Sequence, residues 1–160
     1  MLSRSLYPAM QTPLSVTIGQ FSAAGAKEAN QDFHGALVPE ADMLATKGIA
    51  VAIADGISTS PLGATGAETA VKSFLTDYYA TSEAWSVSTS GQRVIAATNS
   101  WMHAQNLGGA RNLSDEARER GMVCTLSALV LKGRSAWLFH IGDSRIARVS
   151  GGGLEPLTEP

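Results

Sequence analysis

Along the 160-residue chain the spacing of apolar positions changes period more than once. Ile49-Ala50-Val51-Ala52-Ile53-Ala54 is a short, β-branched run that stops at Asp55-Gly56, which predicts a buried strand feeding a turn. Leu14 to Phe21 alternates loosely and predicts an earlier strand, closed by Ser22-Ala23-Ala24-Gly25. Beyond it the repeat lengthens. Ala67, Ala70, Val71, Phe74, Leu75 and Tyr78 recur at three- and four-residue steps, one face of a helix. Thr65-Gly66-Ala67-Glu68 has the form of a capping box at its start. A second helix is expected from Gly91 to about Leu107, with Val94, Ala97, Thr98, Trp101 and Met102 on one stripe and Gly108-Gly109 as its stop.

The remainder reads as meander. Cys124 to Leu131 and Ala136 to Ile141 flank Lys132-Gly133-Arg134, a hairpin connection. Arg145 to Val149 and Leu154 to Leu157 flank Gly151-Gly152-Gly153 in the same way. Strands, then two helices, then a meander give an α+β layered fold. Residues 1–14, with Pro8 and Pro13, are expected to form an N-terminal arm. The run from Ser114 to Arg120 is charged on all sides and is expected to be an exposed loop with one helical turn.

Composition narrows the classes of function. Charged residues make up only 16% against 44% apolar, so the chain is neither disordered nor a charged tail. Twelve basic and fourteen acidic residues leave a net charge of −2 with no basic stripe, which argues against nucleic acid as a partner. The longest apolar run, Gly48 to Ala54, is far short of the roughly 20 residues of a membrane helix, and no secretory signal opens the chain. Cys124 is the only cysteine, which excludes an intrachain disulfide and fits a reducing, cytoplasmic setting.

Three aspartates carry the candidate chemistry: Asp32 in Asn30-Gln31-Asp32, Asp55 at the end of the buried strand, and Asp143 in Gly142-Asp143-Ser144-Arg145. Each alone is compatible with an ordinary turn, because aspartate bonds its own backbone and glycine accepts positive φ. Together, at strand ends, they are able to converge on one sheet edge, where carboxylates suit Mg²⁺ or Mn²⁺. Gly56 would let its carbonyl come close to such an ion. His34, His103 and His140 show no ligand spacing, and His140 is assigned to packing or a local hydrogen bond. Cys124 is expected to be a small core residue, and Trp85, Trp101 and Trp137 core or helix-packing aromatics.

In order, Lys27-Glu28-Ala29-Asn30-Gln31-Asp32, Ala54-Asp55-Gly56, Gly121-Met122-Val123-Cys124-Thr125-Leu126 and Gly142-Asp143-Ser144-Arg145 resemble the motifs of metal-dependent Ser/Thr protein phosphatases, the PPM family of type 2C. Leu157-Thr158 is similar to the start of that family's Leu-Thr-x-Asp-His segment. A narrower similarity joins Gln31 to Gly35, Asp55 to Ser58, Ser73 to Thr81 and Trp85 to Val87 with the phosphatase domain of bacterial bifunctional kinase/phosphatase proteins. The resemblance covers residues 15–160. It implies a four-layer α-β-β-α sandwich of antiparallel sheets flanked by helices, with a two-metal Mn²⁺/Mg²⁺ centre between the sheets. In the implied reaction a metal-activated water hydrolyses phosphoserine or phosphothreonine in a protein. By position Asp55 would bridge the metals, the Gly56 carbonyl and Asp32 would bind them, and Asp143 would be an additional metal-site carboxylate. A phosphorylated protein is the implied substrate, with a cognate Ser/Thr kinase as a further partner.

The sequence departs from the family pattern at named positions. The phosphate-binding arginine falls at Lys27, which supplies charge without a bidentate fork. The metal-binding glutamate falls at Gln31, and Asp-Gly-x-Gly-Gly becomes Asp55-Gly56-Ile57-Ser58-Thr59. The sequence stops before the family's C-terminal aspartates. The expectation is therefore the N-terminal part of the domain, weak or inactive alone. The competing expectation is a non-catalytic phosphoprotein-binding or regulatory module with a degenerate metal site.

Overall fold

The computed structural model describes residues 14–108 and 121–159. Nine elements follow in order: β1 (Asp32–Leu37), α1 (Ala41–Lys47), β2 (Ile49–Asp55), α2 (Gly63–Ala80), α3 (Val87–Leu107), β3 (Leu126–Lys132), β4 (Ser135–Ile141), β5 (Ala147–Ser150) and β6 (Gly153–Pro156). The first four strands form one antiparallel sheet in the order β1-β2-β3-β4, and β5-β6 is a separate two-stranded hairpin. The α+β expectation holds, and the fold is one helix-covered sheet plus this hairpin among the described residues.

Strand alternation explains the layering. In β2, Ala50, Ala52 and Ala54 point to one face, and Val51, Ile53 and Asp55 to the other. Three alanines in a row on one face leave room for α2, whose Ala67, Ala70, Val71, Phe74 and Tyr78 are buried with them, Leu126, Ala128, Val130 and Phe139. At Gly35 of β1 an added Cβ would stand 2.8 Å from Leu75 Cδ1, so the helix lies close over that strand. Tyr78 donates to the Lys47 carbonyl, and the Tyr79 hydroxyl reaches the carbonyls of Leu37 and Gly48. Burial pushes both phenols up to about 12. They latch the β1–α1–β2 corner to α2. The ammonium of buried Lys47 in turn donates to Thr81 Oγ1 and the Ser82 carbonyl at the end of that helix.

Several sequence expectations need correction. Residues 14–24 form no strand, whereas β1 and α1 arise from stretches given no element above. Helix α2 begins at Gly63, so Thr65 and Glu68 lie inside it and form no capping box; its N-cap, Leu62, makes no side-chain bond. Helix α3 begins at Val87, four residues before Gly91, because the Ser86 hydroxyl accepts from the Thr89 amide. Its stop at left-handed Gly108 is as expected. Trp101 is 51% exposed, and Trp85 is 40% exposed with Arg93 stacked over its ring, so neither is a core residue. Trp137 alone of the three packs against the core. The arm over residues 1–13 and the charged loop lie outside the described residues.

Candidate metal centre

Asp32 is the first residue of β1 and Asp55 the last of β2, and the ladder sets them directly opposite one another. Such cross-strand partners share a face with Cβ atoms about 4.5–5.5 Å apart. Asn30 fixes the entry to β1, its carboxamide oxygen accepting from the Asp32 amide at 3.0 Å. Asp55 is held at both backbone atoms by one residue: its N–H donates to Thr125 Oγ1 at 3.1 Å, and its carbonyl accepts from the Thr125 amide at 2.9 Å.

Thr125 also anchors the third acid. Its hydroxyl lies 2.8 Å from Ser144 Oγ, beside Asp143 in the turn after β4. Gly142 opens that turn at φ 102°, and an added Cβ would stand 2.6 Å from Thr125 Cγ2. A side chain there is strained by conformation and by contact. At Gly56 an added Cβ would come within 2.3 Å of the Gly63 carbonyl, while its N–H donates to the Gln31 carbonyl. Glycine at 56 is thus demanded by the close approach of the α2 N-terminus.

Electrostatics ties the set together. The Asp55 carboxyl is raised above the ordinary range, first by burial, then by its hydrogen bond with Asp32 and that residue's charge; Asp143 adds to the rise and Lys27 opposes it. Two carboxylates at one strand end repel until a proton or a cation comes between them. Lys27 follows the turn at Gly25, with its amide donating to the Ala24 carbonyl. The fold therefore brings Asp32, Asp55 and Gly56 together, with Asp143 and Lys27 within range of their charge. No three His, Cys, Asp or Glu side chains cluster closely enough to cage an ion among the described residues.

Sequence reasoning missed the supporting residues. Ser60 is buried, donates its hydroxyl to the Gly121 carbonyl at 2.5 Å and accepts from the Leu62 amide. Asn106 grips Met122 at both backbone atoms, at 2.7 and 3.1 Å. The three histidines stay apart in the fold, and His140 Nδ1 lies 2.9 Å from Ser127 Oγ on the neighbouring strand, the local bond expected of it. Cys124 bridges to Gly56 and packs against the core, and burial with the nearby Asp55 charge pushes its thiol up to about 11.

The family profile of protein phosphatase 2C matches residues 21–160. The chain belongs to the protein phosphatase 2C family. Its fold is similar to the serine/threonine phosphatase PstP/Ppp of Mycobacterium tuberculosis, with a TM-score of 0.60 and 22% identity over 84% of this chain and 49% of that one. A structure of the catalytic domain of the serine/threonine protein phosphatase PstP in complex with two manganese ions matches with a TM-score of 0.59 and 22% identity. That match covers 83% of this chain and 50% of the other. The chain thus spans about half the length of these phosphatase structures. No curated protein sequence matches significantly.

The donor chemistry fits the kind of ion that the family implies. Mg²⁺, and Mn²⁺ with it, favours oxygen donors; Mg²⁺ commonly keeps several waters and takes only one or two protein carboxylates. Asp32 and Asp55 supply that number from facing strands. No described helix is long and apolar enough to cross a membrane.

Proposed function

We propose that this chain contributes to metal-dependent hydrolysis of phosphoserine or phosphothreonine in proteins, using Mn²⁺ or Mg²⁺. The observation that carries the reading is the Asp32–Asp55 pair, two carboxylates set opposite each other at one sheet edge with Lys27 in range. In this reading Asp55 and Asp32 hold the cation with the Gly56 carbonyl, and Asp143 adds negative charge from the neighbouring turn. Lys27 attracts and orients the phosphoryl group as a point charge. A divalent ion bound there would supply charge neutralisation for the phosphoryl oxygens and lower the pKa of water. The substrate is a phosphorylated protein made by a cognate Ser/Thr kinase, in a reducing, cytoplasmic setting that suits the single free Cys124.

The test is phosphate release from a phosphothreonine peptide with Mn²⁺, with EDTA and Asp55→Asn as controls. Release that needs Mn²⁺ and is lost in the variant supports the proposal. A second reading, a phosphoprotein-binding module with a degenerate metal site, is favoured by the lack of a third clustered ligand among the described residues and by neutral Gln31. It predicts peptide binding without phosphate release.

A further inference from the structure

Gln31 occupies the position of a family metal-binding glutamate, yet its side chain has other business. Gln31 immediately precedes β1, and its side chain and that of Asp32 have different partners. Asp32 meets Asp55, while Gln31 Nε2 donates to the Ser60 carbonyl at 3.1 Å. The Gln31 carbonyl accepts from the Gly56 amide at 3.1 Å. One residue thereby holds the chain beside each acid: it precedes Asp32, grips the residue after Asp55, and clasps the loop that leads into α2.

We propose that the Gln31 carboxamide is a positioning group for the Asp32–Asp55 pair, acting as a hydrogen-bond donor and not as a metal ligand. The chemistry discriminates glutamine from glutamate. A carboxylate has no proton to donate, so at position 31 it would face the Ser60 carbonyl oxygen with two acceptors. Ser60 is buried and its loop is held on all sides, by Ile57, Leu62, Gly63 and Gly121, so the carbonyl is not free to turn away. Glutamine at 31 supplies the donor that this carbonyl accepts, while its Oε1 is buried without a partner among the described residues.

The inference rests on the metal-centre reading and predicts the opposite sign from a ligand role. Adding a carboxylate ligand tightens Mn²⁺ binding, whereas breaking the clasp loosens it. Gln31→Glu is expected to raise the Mn²⁺ Kd of the chain roughly tenfold, the scale of one lost hydrogen bond to a fixed partner. Calorimetric titration far below the unfolding midpoint separates this from a loss of stability. An unchanged or tighter Kd overturns the proposal. A second measurement needs no variant: the Gln31 side-chain amide protons of the native chain, followed by NMR without metal, are expected to be protected from exchange. Free exchange overturns the clasp even where Gln31→Glu fails to fold. A native chain that binds no Mn²⁺ defeats the metal-centre reading and the positioning role with it, while protected amide protons would still establish the contact to Ser60.

Discussion

Asp32 and Asp55 face each other at the last rung of the β1–β2 ladder, and the proton affinity of Asp55 is raised by burial and by its partner. Without a cation this arrangement opposes folding at neutral pH. A carboxyl with a raised folded-state pKa favours the folded state at pH values below its unfolded pKa. That contribution is lost as pH rises through the folded pKa.

Asp55→Asn removes that cost along with the ligand. The metal-free variant is expected to melt higher than the native chain at pH 7, and the gain should shrink as the pH falls toward the ordinary carboxylate range. Mn²⁺ should stabilise the native chain and leave the variant unmoved. A variant that melts lower at pH 7, or still binds Mn²⁺, removes Asp55 from this role.

Cys124 tests the burial of the strip behind the acids. A thiol pushed up to about 11 from 9.0 carries about a hundredfold less thiolate at a given pH below 9. Alkylation by iodoacetamide at pH 8 is therefore expected to run about a hundredfold slower than for a free cysteine. Rapid labelling of the folded chain would show that the Gly121–Cys124 segment opens readily.

The residues that were legible in the sequence are those whose signal is local. The apolar run of β2, the three- and four-residue steps of α2 and the glycine-bearing turn between β3 and β4 each mark their element. β1 was not legible because Gly35 interrupts it, and that glycine is required by Leu75, 40 residues further on. Thr65-Gly66-Ala67-Glu68 misled because Gly63 and Gly66 pack against backbone, which carries the helix past the apparent cap. The acids could be found as turn residues, whereas Thr125, Ser60 and Asn106 could not. Their hydroxyls and amide act on backbone 70, 61 and 16 residues away respectively, and no spacing rule encodes that.

Gly91 reverses the usual helix rule. Alanine for glycine inside a helix is normally worth about 1 kcal/mol in favour of alanine. Here the new Cβ would stand 2.3 Å from the Phe139 ring, which is itself packed against Phe74. Overpacking of this kind costs about 1–3 kcal/mol. Urea unfolding of Gly91→Ala should show a net loss of stability. A gain would mean that α3 lies further from β4 than the contact implies.

Thr125 links two acids that are 88 residues apart in sequence, and its hydroxyl is the only side-chain group bonded to the Asp55 amide among the described residues. Thr125→Val keeps the shape and removes the oxygen, leaving the Asp55 N–H without its acceptor at a cost of about 1–3 kcal/mol. Ser144→Ala removes only the outer partner and should cost less, because Thr125 still accepts from Asp55. Thr125→Ser restores the hydroxyl and loses the methyl that packs on Gly142, so it should fall between the native chain and the valine variant. If Thr125 couples the turn of Asp143 to Asp55, the Thr125→Val and Ser144→Ala effects will be less than additive in a double-mutant cycle. Unfolding curves measure the cycle, and Mn²⁺ titration of the same four proteins shows whether the coupling reaches the site. Additive losses, with equal Mn²⁺ affinity in all four, would leave the two acids independently held.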